Sequence, residues 1–209
     1  MDTEDVRLAV YRSFAQTGRA PELGSLAGGA LRKLHEQRHV VLDRDGRIVM
    51  ADPFAAVPLG FSVMGRETLW WGGCAWDSFA LPHLLPRESE VLVATQCPGC
   101  RAALAWVVNR DTPPAGAEVA HFLMPASRMW EDVVHTCGHQ RLFCGEQCVS
   151  AWLQRTGHQR GYVMDLATLW RLAQGWYAGR LDHGYQRREP SQAKEYFRSV
   201  GLRGPFWGL

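Results

Sequence analysis

The sequence predicts an α+β protein: N-terminal winged-helix-like helices, a mixed β-sheet core, and a helical C-terminal extension. Three observations carry this expectation. Apolar residues recur at helical spacing in the N-terminal part, β-rich runs broken by Gly, Pro and Asp fill the middle, and helical periodicity returns after Asp165. The 209 residues suffice for a substantial core. They divide into an expected winged-helix-like segment at residues 1–55, a mixed-sheet core at 56–160 and a helical extension at 161–209.

Val6, Leu8, Ala9, Val10, Tyr11 and Phe14 suit a first helix, closed by Thr17-Gly18. A short second helix is expected to open at Pro21, a favoured first position, and a third spans about Ala27 to Arg38. Val40 to Met50 holds two β-rich runs around Asp45-Gly46, a hairpin signal. Helices followed by a hairpin is winged-helix order, in which Arg32, Lys33 and Arg38 could meet phosphates. The small net charge of +2 and the lack of a dense basic face favour a structural role instead, so no nucleic-acid partner is expected.

Phe61 to Trp71 reads as a hairpin turning at Gly65-Arg66. Gly72-Gly73 then lets the chain turn into about two turns of helix, Cys74 to Ala80, before Pro82. Glu90–Thr95 and Ala102–Val108 are strands joined through Cys97-Pro98-Gly99-Cys100, and Glu118–Met124 is another. Val133 to Phe143 reads as strand, turn, strand, and Glu146 to Thr156 as a helix. Asp165 caps the next helix, whose broad apolar face runs from Leu166 to Tyr177. Ser191 to Val200 forms the last helix, and the tail with Phe206 and Trp207 is expected to dock on the body.

The balance of 23 basic and 21 acidic residues gives no case for an anionic membrane. No basic-plus-apolar leader and no apolar run of membrane-spanning length is present, so a cytoplasmic protein without a membrane partner is expected. In that compartment the six cysteines are read as thiols, available for metal binding or chemistry.

Two constellations stand out. Cys74 and Asp77 are three apart at a helix start, so thiol and carboxylate share a face beside a dipole that lowers a thiol pKa. Cys97-x-x-Cys100 in a hairpin knuckle and Cys144-x-x-x-Cys148 leading into a helix supply the four thiolates of a closed structural zinc site. Uptake or transfer of another soft metal, a Cys97/Cys100 redox pair, or unliganded thiols are the competing readings. His135 and His139 flank Cys137 and could tune it, although histidines in such positions are more often exposed or core residues. The tryptophans around Cys74 read as core, with Trp71 or Trp76 available to wall an apolar pocket.

Trp71-Gly72-Gly73-Cys74-Ala75-Trp76-Asp77-Ser78 resembles the catalytic cysteine segment of organomercurial (alkylmercury) lyases. His135-Thr136-Cys137-Gly138-His139-Gln140-Arg141-Leu142-Phe143, with Trp152 following, resembles that family's second cysteine segment. The similarity extends from the N-terminal helices through Gly46–Phe54 to about Trp152, and the C-terminal third looks like an extension found in part of the family. Phe143 to Cys148 also resembles half of a treble-clef-like, TRASH-type metal module, a departure from the best-known lyases.

The resemblance implies an alkylmercury lyase fold and protonolysis of a carbon–mercury bond to a hydrocarbon and Hg(II). Cys74, Asp77 and Cys137 fall on the family's catalytic positions, with both cysteines as mercury ligands. Soft thiolates suit mercury, and a carboxylate can carry the proton from thiol to carbon. No organic cofactor is implied, and an external thiol or a mercuric reductase accepts Hg(II). A lyase-like homologue with other thiol-dependent chemistry and a zinc-containing winged-helix metal sensor are the alternatives.

Overall fold

In the computed structural model, which describes residues 2–24 and 27–209, two antiparallel sheets pack against a layer of helices. Helix α1 (Thr3–Thr17) is capped by the Asp2 carboxylate and stopped by Gly18, which is left-handed at φ 70°. A Cβ at Gly18 would lie 2.1 Å from the Leu69 carbonyl oxygen, so only glycine fits this approach. Residues 21–24, where a short helix is expected, are not helical, and Ser25 and Leu26 lie outside the described residues. Helix α2 (Gly28–Glu36) follows.

Strands β1 (Val41–Leu42), β2 (Ile48–Ala51), β3 (Phe54–Ala55), β4 (Phe61–Met64), β5 (Leu69–Gly72), β6 (Glu90–Gln96) and β7 (Ala103–Asn109) form one sheet in the order β1-β2-β3-β5-β4-β6-β7. Strands β8 (Val119–Phe122), β9 (Gln140–Phe143) and β10 (Tyr162–Asp165) form another in the order β10-β8-β9. Every described pairing is antiparallel, as the short connections between β4 and β5 and between β6 and β7 require. The sheets cross the expected domain boundaries: β3, which ends at residue 55, pairs with β5, and β10 pairs with β8. Residues from all three expected segments, such as Phe14, Phe79 and Trp207, share one buried core.

Alternation along β4, β6 and β7 turns Phe61, Val63, Val91, Val93, Trp106 and Val108 inward. Against this face lies α3 (Ala75–Leu84), nearly all of whose side chains are buried. The expected stop at Pro82 does not occur. Pro82 sits inside the helix, where it forfeits one backbone hydrogen bond, and burial on both sides outweighs that loss. Helix α6 (Leu166–Trp176), capped by Asp165, packs across α3, and the Trp76 indole donates to the Leu172 carbonyl at 3.2 Å. Helix α7 (Pro190–Ser199) and the turn Pro205–Trp207 close this layer, with the Phe197 and Trp207 rings 4.9 Å apart.

One expected strand is a helix. Val133–Gly138 forms α4, because the Asp132 carboxylate accepts from the His135 amide and starts a turn that the β-branched Val133-Val134 pair alone disfavours. Cys137 therefore leaves the last turn of a helix, and β9 follows at once. Helix α5 (Glu146–Thr156) covers the other end of β9. Among the described residues no helix is long and apolar enough to cross a membrane.

Candidate active site

Gly72 and Gly73 bring β5 into α3 through close contact rather than unusual backbone angles. A Cβ on Gly72 would lie 2.0 Å from Ser78 Oγ, and one on Gly73 would lie 2.4 Å from Asp77 Oδ2. The missing side chain of Gly73 thus makes room for the Asp77 carboxylate. Cys74 is the residue before α3, and its sulfur accepts from the Asp77 amide at 3.4 Å, as a capping group would.

Cys137, delivered by α4, meets this helix start. Its thiol donates to Asp77 Oδ2 at 3.7 Å, and the ligand atoms of Cys74, Asp77 and Cys137 all lie within 4.8 Å of one another. Two bonds of roughly the 2.3 Å seen for zinc–thiolate span up to about 4.6 Å, so one soft ion can bridge the sulfurs with a small adjustment. All three residues are buried. The Cys74 thiol donates to Gln140 Oε1 at 2.9 Å, and the Tyr177 hydroxyl donates to Asp77 Oδ1.

These groups border a small pocket of about 20 Å³, lined also by Asp52, Trp76, Met129, Trp130 and Val133. That is room for roughly one water-sized group. Burial dominates the electrostatics. It pushes the Cys74 thiol up to about 12, overriding the helix start that was expected to lower it. Its hydrogen bond with Cys74, and then burial, hold Cys137 well above the usual thiol range. Burial and the neighbouring Asp52 charge lift Asp77 to about 7, against the hydrogen bond from Tyr177. Asp77 is therefore poised to gain or lose a proton near neutrality, beside two protonated thiols.

Gln140, Tyr177 and Asp52 complete this pocket and were not singled out by sequence reasoning. Gln140 lies three residues after Cys137 within the second cysteine segment, which offered a signal. Tyr177 reads only as the end of an apolar helix face. Asp52 has a buried Oδ1 without a hydrogen-bond partner, and Arg180 donates to its backbone carbonyl at 2.6 Å while stacking over the Tyr177 ring at 4.8 Å. Of the tryptophans considered as pocket walls, Trp76 lines the pocket and Trp71 does not. The His135 and His139 rings lie tilted against each other with centroids 4.3 Å apart, and neither lines the pocket.

The second constellation also converges. Cys97, Cys100, Cys144 and Cys148 place their sulfurs within 4.8 Å of one another, with Cys100 and Cys144 at 3.5 Å. No disulfide is formed among the six cysteines.

Residues 54–178, more than half of the chain and including all seven of these cluster residues, match the family model described as alkylmercury lyase. Among solved structures, the crystal structure of the mercury-bound form of MerB2 superposes with a TM-score of 0.64 at 16% sequence identity, covering 82% of this chain and 87% of that one. At that identity the likeness is one of fold. No curated protein matches the sequence.

Proposed function

The chain belongs to the alkylmercury lyase family, and on that premise we propose that Cys74, Asp77 and Cys137 are the groups with which it cleaves carbon–mercury bonds. The protein is an organomercurial lyase, and its products are a hydrocarbon and Hg(II). The observation that carries the assignment of residues is the meeting of two buried thiols and a carboxylate with a pKa of about 7 at one pocket.

Carbon–mercury bonds resist water, and mercury prefers soft ligands, so sulfur is the donor that can polarise them. The substrate arrives as R–Hg–X, with X an external thiolate. One buried thiol bonds mercury as X departs, and its proton passes through Asp77 to X, which leaves as a free thiol. The second thiol then gives its proton to Asp77 and adds to the same mercury, pushing electron density onto carbon. Asp77 delivers its proton to that carbon, the Hg–C bond breaks, and R–H leaves. Over the cycle two thiol protons are lost: one ends on carbon and one on X. The high thiol pKa values mean that each proton leaves only as mercury takes its place.

Gln140 holds Cys74, and Tyr177 holds Asp77, through the hydrogen bonds described. Trp76, Met129, Trp130 and Val133 receive the organic group, and the pocket must widen to admit it. Two thiolates bind Hg(II) tightly, so an external thiol or a mercuric reductase removes the product. A reducing compartment such as the cytoplasm suits six free thiols.

Hydrocarbon release from phenylmercury or methylmercury, supplied with excess thiol, tests this function: folded protein that releases no benzene or methane contradicts it. Because Asp77 must be ionised to accept a thiol proton, kcat/KM should rise with pH through about 7. The Tyr177 hydrogen bond favours the carboxylate, so Tyr177→Phe should move that limb upward by about 1 unit. A limb that stays in place in the variant contradicts the assignment to Asp77.

A further inference from the structure

Strand β9 connects the two thiol clusters. Its first residue, Gln140, accepts from the Cys74 thiol, and Cys144 directly follows its last residue, Phe143. On the far side of Cys144, the knuckle after β6 brings Cys97 and Cys100 within reach of Cys144 and Cys148. The Cys97 sulfur accepts the Cys144 amide at 3.5 Å.

The two halves approach too closely to admit a side chain between them. A Cβ on Gly99 would lie 2.5 Å from the Cys148 carbonyl oxygen and 2.6 Å from its Cβ. Arg155, near the end of α5, ties the same elements together by donating to the carbonyls of Pro98 and Gly99. The apolar cluster beneath is small, with Cys97, Phe143, Val149 and Trp152 as its buried members, and it is separate from the main core. So small a cluster is a weak anchor, and a metal cross-link is the usual remedy.

We propose that Cys97, Cys100, Cys144 and Cys148 bind one structural Zn(II) as a closed tetrathiolate site, and that this ion fixes β9 and so the position of Gln140 against Cys74. A tetrahedral ion with bonds of about 2.3 Å sets its sulfurs roughly 3.8 Å apart, within the separations present. Sulfurs this close enclose a single ion and leave no room for an iron–sulfur cluster. Four protein thiolates also leave no open position, so the site holds structure rather than substrate. The link to Cys74 rests on the lyase reading, whereas zinc binding does not.

The test uses the full chain, purified with a thiol reductant and no added metal. One zinc per chain is expected, retained in full by the Cys74→Ser/Cys137→Ser double variant. Replacement by Co(II) in the unmutated protein should give the intense thiolate-to-cobalt absorption of a four-sulfur tetrahedral site. Cys97→Ser should lose the ion, and Gly99→Ala, which keeps every thiol but forces the halves apart, should weaken zinc at least about 10-fold in chelator competition. Zinc removal should speed amide hydrogen exchange at residues 140–143 while that of β4 and β6 stays slow. Absence of zinc, iron in its place, or zinc unchanged by Cys97→Ser overturns the site. Zinc released in step with turnover overturns its structural role, and unchanged exchange in β9 overturns the coupling to Gln140.

Discussion

Asp77→Asn should lower hydrocarbon release from phenylmercury by about 10²–10⁴-fold, the usual contribution of a positioned proton carrier, while Cys74 and Cys137 still take up mercury. The carboxamide keeps the size of the side chain and an oxygen for the Tyr177 hydroxyl, so the pocket stays filled. What it loses is the capacity to accept a proton from a thiol and return it to carbon. The same substitution should stabilise the fold at alkaline pH. Asp77 is raised from an ordinary value of 3.8 to about 7, chiefly by burial. Between those values the unfolded chain has released this proton while the folded chain keeps it, so stability falls as pH rises through that window and is level above it. Removing the charge should recover about 2–4 kcal/mol at pH 8 and little at pH 4, read from denaturant unfolding. Activity within about 10-fold of the parent would falsify the role given to Asp77.

Cys137→Ser should release no hydrocarbon above background and should trap the substrate half-way. With Cys74 alone, R–Hg exchanges its outside ligand for one protein thiolate and stops, because a hydroxyl is too hard to bind mercury and activate carbon. Mass spectrometry of the protein should show an intact R–Hg adduct on Cys74 that a small thiol removes unchanged. Serine also keeps a donor for the Asp77 carboxylate, so the loss is of mercury ligation rather than of packing. Turnover at the parent rate, with no adduct, contradicts the two-sulfur account.

Much of this site is written locally in the chain. Cys74 and Asp77 share a helix start, and the two short-spaced cysteine pairs mark the four sulfurs that converge in the fold. Helices α5 and α6 and the hairpins β4–β5 and β6–β7 follow from caps, turns and alternation at the expected places. The remainder depends on tertiary contacts. Asp77 and Tyr177 are 100 residues apart, and nothing near Tyr177 marks it as more than an apolar helix end. Val133-Val134 suggests a strand until the Asp132 cap decides for helix. The thiol pKa values run opposite to the local signal, since a dipole at a helix start is visible in sequence and the burial of Cys74 is not. Pro82 likewise survives in α3 because packing on both sides outweighs one lost hydrogen bond.

The most direct measurement is a crystal structure of Asp77→Asn soaked with less than one equivalent of an organomercurial. A single mercury bonded to both Cys74 Sγ and Cys137 Sγ, with its organic group toward Trp76 and Trp130, is the expected result. Mercury held by one of these sulfurs while the other stays unengaged, or mercury at Cys97, Cys100, Cys144 and Cys148 alone, contradicts it.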